Sequence, residues 1–123
     1  MREYIEPDKN KAKSLFKMAD ELLRRVELIS FEEFPAPNLS DYYDIIHMFL
    51  DGLLLCRGLK FKGEGAHYEL IEGAKQETII TESEAQFLQQ IRNIRNKHKY
   101  EGFSVSVDFA KRNKEKIKKI IDK

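Results

Sequence analysis

Apolar residues recur along the chain at steps of three and four, and each run is bounded by residues that start or stop helices. Ala12, Leu15, Phe16, Ala19, Leu22, Leu23, Val26 and Ile29 form a core-facing stripe, with Lys13, Lys17, Arg24 and Glu27 on the opposite face. Asp8 is the expected N-cap of this first helix. FEEFPAPNLS follows, and its two prolines predict a linker. A second helix is expected after Ser40, with Asp41 and Asp44 at its positive N-terminal end. Its stripe is Tyr43, Ile46, Phe49, Leu50, Leu53 and Leu54, and Ile45 and Leu55 widen it enough to predict contact on two sides, with the core and with another helix or subunit. Gly58 is placed as the residue just past its end.

GLKFKGEGAH has three glycines and reads as a loop, followed by a short helix over HYELIEGA. A fourth helix is expected from Thr81 or Ser83, because Thr81 and Glu84 have the spacing of a capping box. Phe87, Leu88, Ile91 and Ile94 give its apolar face, and Gly102 marks its stop. A last, lysine-rich helix starts near Ser106 and carries Phe109, Ile117, Ile120 and Ile121. No stretch alternates with period two, so strands are not indicated. Four or five helices with mostly short connections predict an all-α, antiparallel up-and-down bundle, one domain over residues 1–123.

Composition narrows the function classes. Hydrophobic residues are 41% and charged residues 35%, as in a globular chain of 123 residues with a single core. Lys and Arg number 22 against 21 Asp and Glu, a net charge of +1, so nucleic-acid binding would have to come from a local patch. The single cysteine, Cys56, excludes an internal disulfide and a cysteine-based zinc site, and within LLLCRG it reads as a small buried hydrophobe. The charged start MREYIEPDKNK has no apolar core of a signal peptide, and the longest apolar run, around Phe49 to Cys56, is too short for a bilayer. A soluble cytoplasmic protein with no membrane contact is expected.

The stretch IRNIRNKHKYEG, residues 91 to 102, concentrates the candidate chemistry. At about 100° per residue, Phe87, Ile91, Ile94 and His98 fall on one stripe, with Arg95 and Leu88 beside it, Lys99 and Arg92 further round, and Asn96 nearly opposite. Arg95 neighbours His98 on such a helix, whereas Arg92 does not face it. Arginine pairs its planar fork with phosphate oxygens, histidine moves protons near neutral pH, and a tyrosine such as Tyr100 offers a face on which a base can stack. On physics alone a plainer account is preferred: cations at a helix C-terminus favour its dipole, and a histidine on an apolar stripe is usually a hydrogen-bonded core residue.

The parts YYDIIHMFLDGLLLCRGLKFKGEGAHYELIE, FLQQIRNIRNKHKYEG and the Lys-rich closing helix resemble, in that order, a HEPN domain (higher eukaryotes and prokaryotes nucleotide-binding), from Ser40 onward. The family is an all-α bundle that commonly dimerises. Many members are metal-independent ribonucleases, and many are toxins encoded beside a minimal nucleotidyltransferase antitoxin. Its signature is an Arg, four to six residues, then a His, often with an Asn after the Arg and a Tyr two after the His. By that resemblance Arg92 and His98 would be catalytic, with Asn93 and Tyr100 at the matching positions. A second register from Arg95 and Asn96 puts Tyr100 where the His would fall, as in members with an Arg-Asn-x-x-x-Tyr pattern. The resemblance implies attack of an RNA 2′-OH on the adjacent phosphate, with His98 as base or acid, Arg92 or Arg95 on the phosphate, and Asn93, Asn96, Lys99 and Tyr100 in support. It implies a homodimer in which Arg92 serves the partner's His98, no cofactor, and a nucleotidyltransferase-type antitoxin as partner. The alternative is a non-catalytic HEPN-like nucleotide-binding or protein-interaction module.

Other candidates are weaker. Asp44-x-x-His47 and Glu64-x-x-His67 have the carboxylate–His spacing of di-metal bundles but lack two further inward glutamates, so no metal is expected. His47 is instead expected at a helix-packing edge and His67 at the start of the third helix. KFKGEG lacks the spacing of a phosphate-holding loop, and Cys56 has no evident His partner. The basic run KRNKEKIKKIIDK reads as a solvated face, with contact to backbone phosphate as the functional alternative.

Overall fold

A computed structural model describes residues 2–30, 32–101 and 105–122, giving the backbone alone for 98–101. Five helices are described: α1 (Lys9–Val26), α2 (Pro35–Cys56), α3 (Ala66–Gln76), α4 (Glu82–Glu101) and α5 (Val107–Ile121). The fold is an all-α bundle. Its longest member, α2, packs against each of the other four helices, and α3 packs against α4. That accounts for the wide apolar arc of α2, from which Tyr42, Tyr43, Ile45, Leu54 and Leu55 are all essentially sealed from solvent.

The helix starts follow local chemistry. Asp8 accepts a hydrogen bond from the Lys11 amide at 2.9 Å. Thr81 and Glu84 exchange bonds reciprocally, the Glu84 amide donating to Thr81 Oγ1 at 3.1 Å and the Thr81 amide to Glu84 Oε1 at 2.9 Å. Ser106 Oγ accepts from the Phe109 amide at 3.2 Å. The expected stop at Gly102 lies outside the described residues.

Two expectations are corrected. The segment read as a linker is largely helical: α2 begins at Pro35, not after Ser40. Proline fits the first helical turn, where the missing N–H removes no intrahelical bond. Buried Asn38 then closes the connection, its Nδ2 donating to the carbonyls of Ile29 and Ser30, each at 3.3 Å.

Strands, which the periodicity did not indicate, are also present. β1 (Arg2–Tyr4) and β2 (Leu59–Phe61) pair antiparallel, with Arg2 opposite Phe61 and Tyr4 opposite Leu59. Three residues are too few to show a period-two pattern, and the pair forms because the chain start returns to the end of α2. The Ile5 amide donates to the Gly58 carbonyl at 2.8 Å and the Asp8 amide to Leu55 at 3.1 Å. Gly58 has φ +77°, and a Cβ there would sit 2.5 Å from the Ile5 carbonyl oxygen, so the turn admits only glycine.

β2 seats Phe61 against α3. A Cβ on Gly73 would lie 2.5 Å from Phe61 Cζ, and Phe61 is itself buried. Helix propensity alone favours alanine over glycine by about 1 kcal/mol. The seat reverses that sign: Gly73→Ala is expected to destabilise the chain by about 1–3 kcal/mol, read as a lower urea midpoint with unchanged slope. A raised midpoint would show that Phe61 is free to leave α3.

Candidate functional site

Helix α4 packs against α2 and α3. Its buried line runs through Ala85, Leu88 and Ile91, with Phe87 and Ile94 at the margin. The line is thus turned from the predicted Phe87–Ile91–Ile94 stripe toward Leu88, because α4 packs on α3 as well as on α2. The rotation carries both arginines of the motif inward.

Arg95 faces α2. Its Nε lies 3.0 Å from Asp44 Oδ1, its guanidinium carbon is 5.8 Å from the Tyr43 ring centroid, and its side chain is 15% exposed. The Nε is sealed from solvent and the contact to Asp44 is an ion pair, not an aligned hydrogen bond. Arg92 faces α3. Its Nε donates to Gln89 Oε1 at 2.9 Å, and its guanidinium carbon lies 5.6 Å over the Tyr68 ring. Gln89 Nε2 in turn donates to the Tyr68 carbonyl at 3.0 Å and to Glu72 Oε2 at 3.1 Å, and Lys75 Nζ meets Glu72 Oε1 at 2.8 Å. The Lys75 bond first, and then the Gln89 bond, hold the Glu72 carboxyl below its usual range. Arg92 is therefore fixed through its Nε while remaining half-exposed.

Asn93 is exposed, and Asn96, expected nearly opposite the apolar stripe, is half-buried. The roles expected of His98, Lys99 and Tyr100 fall on side chains outside the described residues. The α4 backbone is helical through all three positions. Six residues at the helical repeat leave Arg92 and His98 roughly 120° apart on α4.

A cluster the sequence did not point to lies beside Arg95. His47 is on α2 and His67 on α3, and their rings stack at 4.2 Å between centroids and 24° between planes. The Tyr43 ring flanks them at 6.1 Å from His47 and 6.5 Å from His67. His47 at a packing edge and His67 near the start of the third helix agree with expectation. Their stacking is a tertiary contact, for which the only sequence signal is the i, i+4 relation of Tyr43 and His47 on one face of α2.

The cluster is dry. Tyr43 Oη and His47 Nε2 are buried without a hydrogen-bond partner. Burial first, then His67, Arg95 and Lys60, push the His47 imidazole down to about 3. Burial chiefly pushes the Tyr43 phenol up to about 12. Both groups are thus neutral near pH 7. Stacked imidazoles hold their in-plane lone pairs side by side and do not converge on one ion. Asp44 is engaged by Arg95, and Glu64 is exposed in the loop. No group of three or more His, Cys, Asp or Glu that could hold a metal ion is found among the described residues. No described helix is long and apolar enough to cross a membrane.

Folded His47 stays neutral while the unfolded chain takes up a proton below about pH 6.5. Its contribution is complete above that pH and is lost as pH falls from about 6.5 toward 3. Between pH 7 and pH 5 this linkage lowers stability by about 2 kcal/mol. Urea melts of wild type and His47→Leu at both pH values should differ in pH slope by that amount. Equal slopes would show that His47 titrates normally in the folded chain. Comparison with protein families, with curated proteins and with solved structures gave no match.

Proposed function

We propose that this protein is a HEPN-like helical bundle that binds RNA through Arg92 and cleaves it as a homodimer without a metal. The observation that carries this reading is the contrast between the two arginines. Arg95 is ion-paired with Asp44 over Tyr43 and mostly buried, whereas Arg92, held through its Nε by Gln89 and lying over Tyr68, stays half-exposed. That leaves the terminal nitrogens of Arg92 as the pair suited to a phosphate, in the fork geometry that recognises two oxygens at once. Arg95 then acts in packing α4 onto α2.

In this reading the RNA 2′-OH attacks its own phosphate, an internal nucleophile already held near phosphorus. His98 takes or gives the proton. Because positions 92 and 98 lie about 120° apart on one helix, the two would meet on one phosphate only when copies of α4 from two chains lie together. A minimal nucleotidyltransferase encoded alongside would be the antitoxin. The second reading is a nucleotide-binding or protein-interaction module without catalysis. What favours it is that only one of the two arginines of the motif is presented to a ligand.

Cleavage of a mixed RNA pool in EDTA tests the two readings. Wild type is expected to cut and leave cyclic phosphate ends. Arg92→Ala and His98→Ala are each expected to lose on the order of 100-fold or more in rate with little change in stability. Arg95→Ala should instead lose about 1–3 kcal/mol of stability. Failure of a folded wild-type dimer to cut any RNA would move the assignment to the binding module.

A further inference from the structure

A cleft of about 410 Å³ opens between α3 and α4, walled by Tyr68, Glu72 and Lys75 on one side and by Glu82, Ala85, Gln86, Gln89 and Gln90 on the other. We infer that this cleft is a nucleobase subsite, taking the base of a nucleotide whose phosphate lies on Arg92. The inference rests on the phosphate role proposed for Arg92.

Four observations carry it. The cleft is within the size range of small-molecule sites, roughly 300–1,000 Å³. Its one aromatic wall, Tyr68, is 49% exposed, a large ring left half in water beside a cavity. The Arg92 guanidinium lies over that same ring, 5.6 Å from its centroid, so a cation adjoins the aromatic wall. The remaining wall is amide and carboxylate. Gln86 and Gln90 are exposed, and each amide offers a donor and an acceptor. Glu72 is an acceptor fixed in place by Lys75 and Gln89.

That mixture matches a base edge, which presents both donors and acceptors, and it suits other ligands poorly. A free anion would meet the Glu72 carboxylate, and an apolar ligand would strip water from three glutamines. Within the cleft Lys75 pairs with Glu72 at 2.8 Å, Glu82 adds a second carboxylate that disfavours a phosphate there, and Arg92 beside the cleft is the cation for the phosphate. Gln89 couples the two halves, since its Nε2 holds the Tyr68 carbonyl and Glu72 while its Oε1 holds Arg92. Bases inside a duplex are stacked and paired, so the ligand is an unpaired base, from a free mononucleotide or a single strand.

The full chain, ¹⁵N-labelled, would be titrated with AMP, GMP, CMP and UMP, with ribose 5-phosphate, and with a single-stranded RNA hexamer and its duplex. Tyr68→Ala, Tyr68→Phe, Gln86→Ala and Arg92→Ala would be run alongside. Expected are amide shifts centred on Tyr68, Gln86 and Gln90, and a loss of affinity on the order of tenfold or more in Tyr68→Ala. Tyr68→Phe should largely restore binding, and ribose 5-phosphate should bind weakly and without regard to Tyr68. Saturation by mononucleotides would identify a free nucleotide as sufficient. Binding by the hexamer alone, with the same dependence on Tyr68, would identify a strand. Ribose 5-phosphate binding as well as the nucleotides, or shifts that avoid α3 and α4, would overturn the subsite. RNA cleavage that proceeds with unchanged rate and affinity in Tyr68→Ala and Gln86→Ala would overturn it while sparing the ribonuclease reading. Base-dependent binding at the cleft by a protein that cuts no RNA would uphold the subsite and overturn that reading.

Discussion

Helix α4 is pinned to α2 where the Arg95 guanidinium meets Asp44 and lies over the Tyr43 ring. A mostly buried cation needs a partner, and Asp44 is the carboxylate that supplies it. The pairing sets the rotation of α4 about its own axis. With Arg95 on α2, the helical repeat turns Arg92 and Gln89 toward α3, and Leu88 and Ile91 into the core. The Gln89 strut to Tyr68 and Glu72 is available only in that rotation. What the site presents to solvent therefore follows from an ion pair that is not itself presented.

The neutral His47 strengthens this arrangement. A protonated His47 would lie near Arg95 and Lys60, both of which push its imidazole toward the neutral form. Kept neutral and stacked on His67, it packs as a flat ring and adds no repulsion to the buried guanidinium. Tyr43 Oη and His47 Nε2 are buried without protein partners, a cost of about 1–3 kcal/mol for each. The Arg95–Asp44 pair and the surrounding core offset that cost.

Local signals were legible along the chain and tertiary ones were not. Asp8, the Thr81–Glu84 box and Ser106 cap helices through bonds that close within three residues, so their spacing alone announces them. The prolines misled because a proline in a first turn and a proline in a linker look alike until the partner of Asn38 is known. The three-residue strands carry no periodicity and exist through the return of the chain start to Gly58. At the site, the spacing singled out both arginines, but their division of labour depends on Asp44 and Gln89, one of them on another helix. The His47–His67 stack joins residues twenty positions apart across β2, and no helical repeat spans that turn.

The division between the arginines also bears on how a catalytic centre would assemble. In the proposed reading a phosphate on Arg92 would lie on the α3 flank of α4, whereas position 98 falls about 120° round the same helix. Side chains reach only across a turn or so, so a phosphate on Arg92 is closed to His98 of its own chain. The proposed homodimer would meet that requirement by bringing position 98 of a second copy of α4 to the phosphate. The requirement is geometric and independent of which RNA is bound.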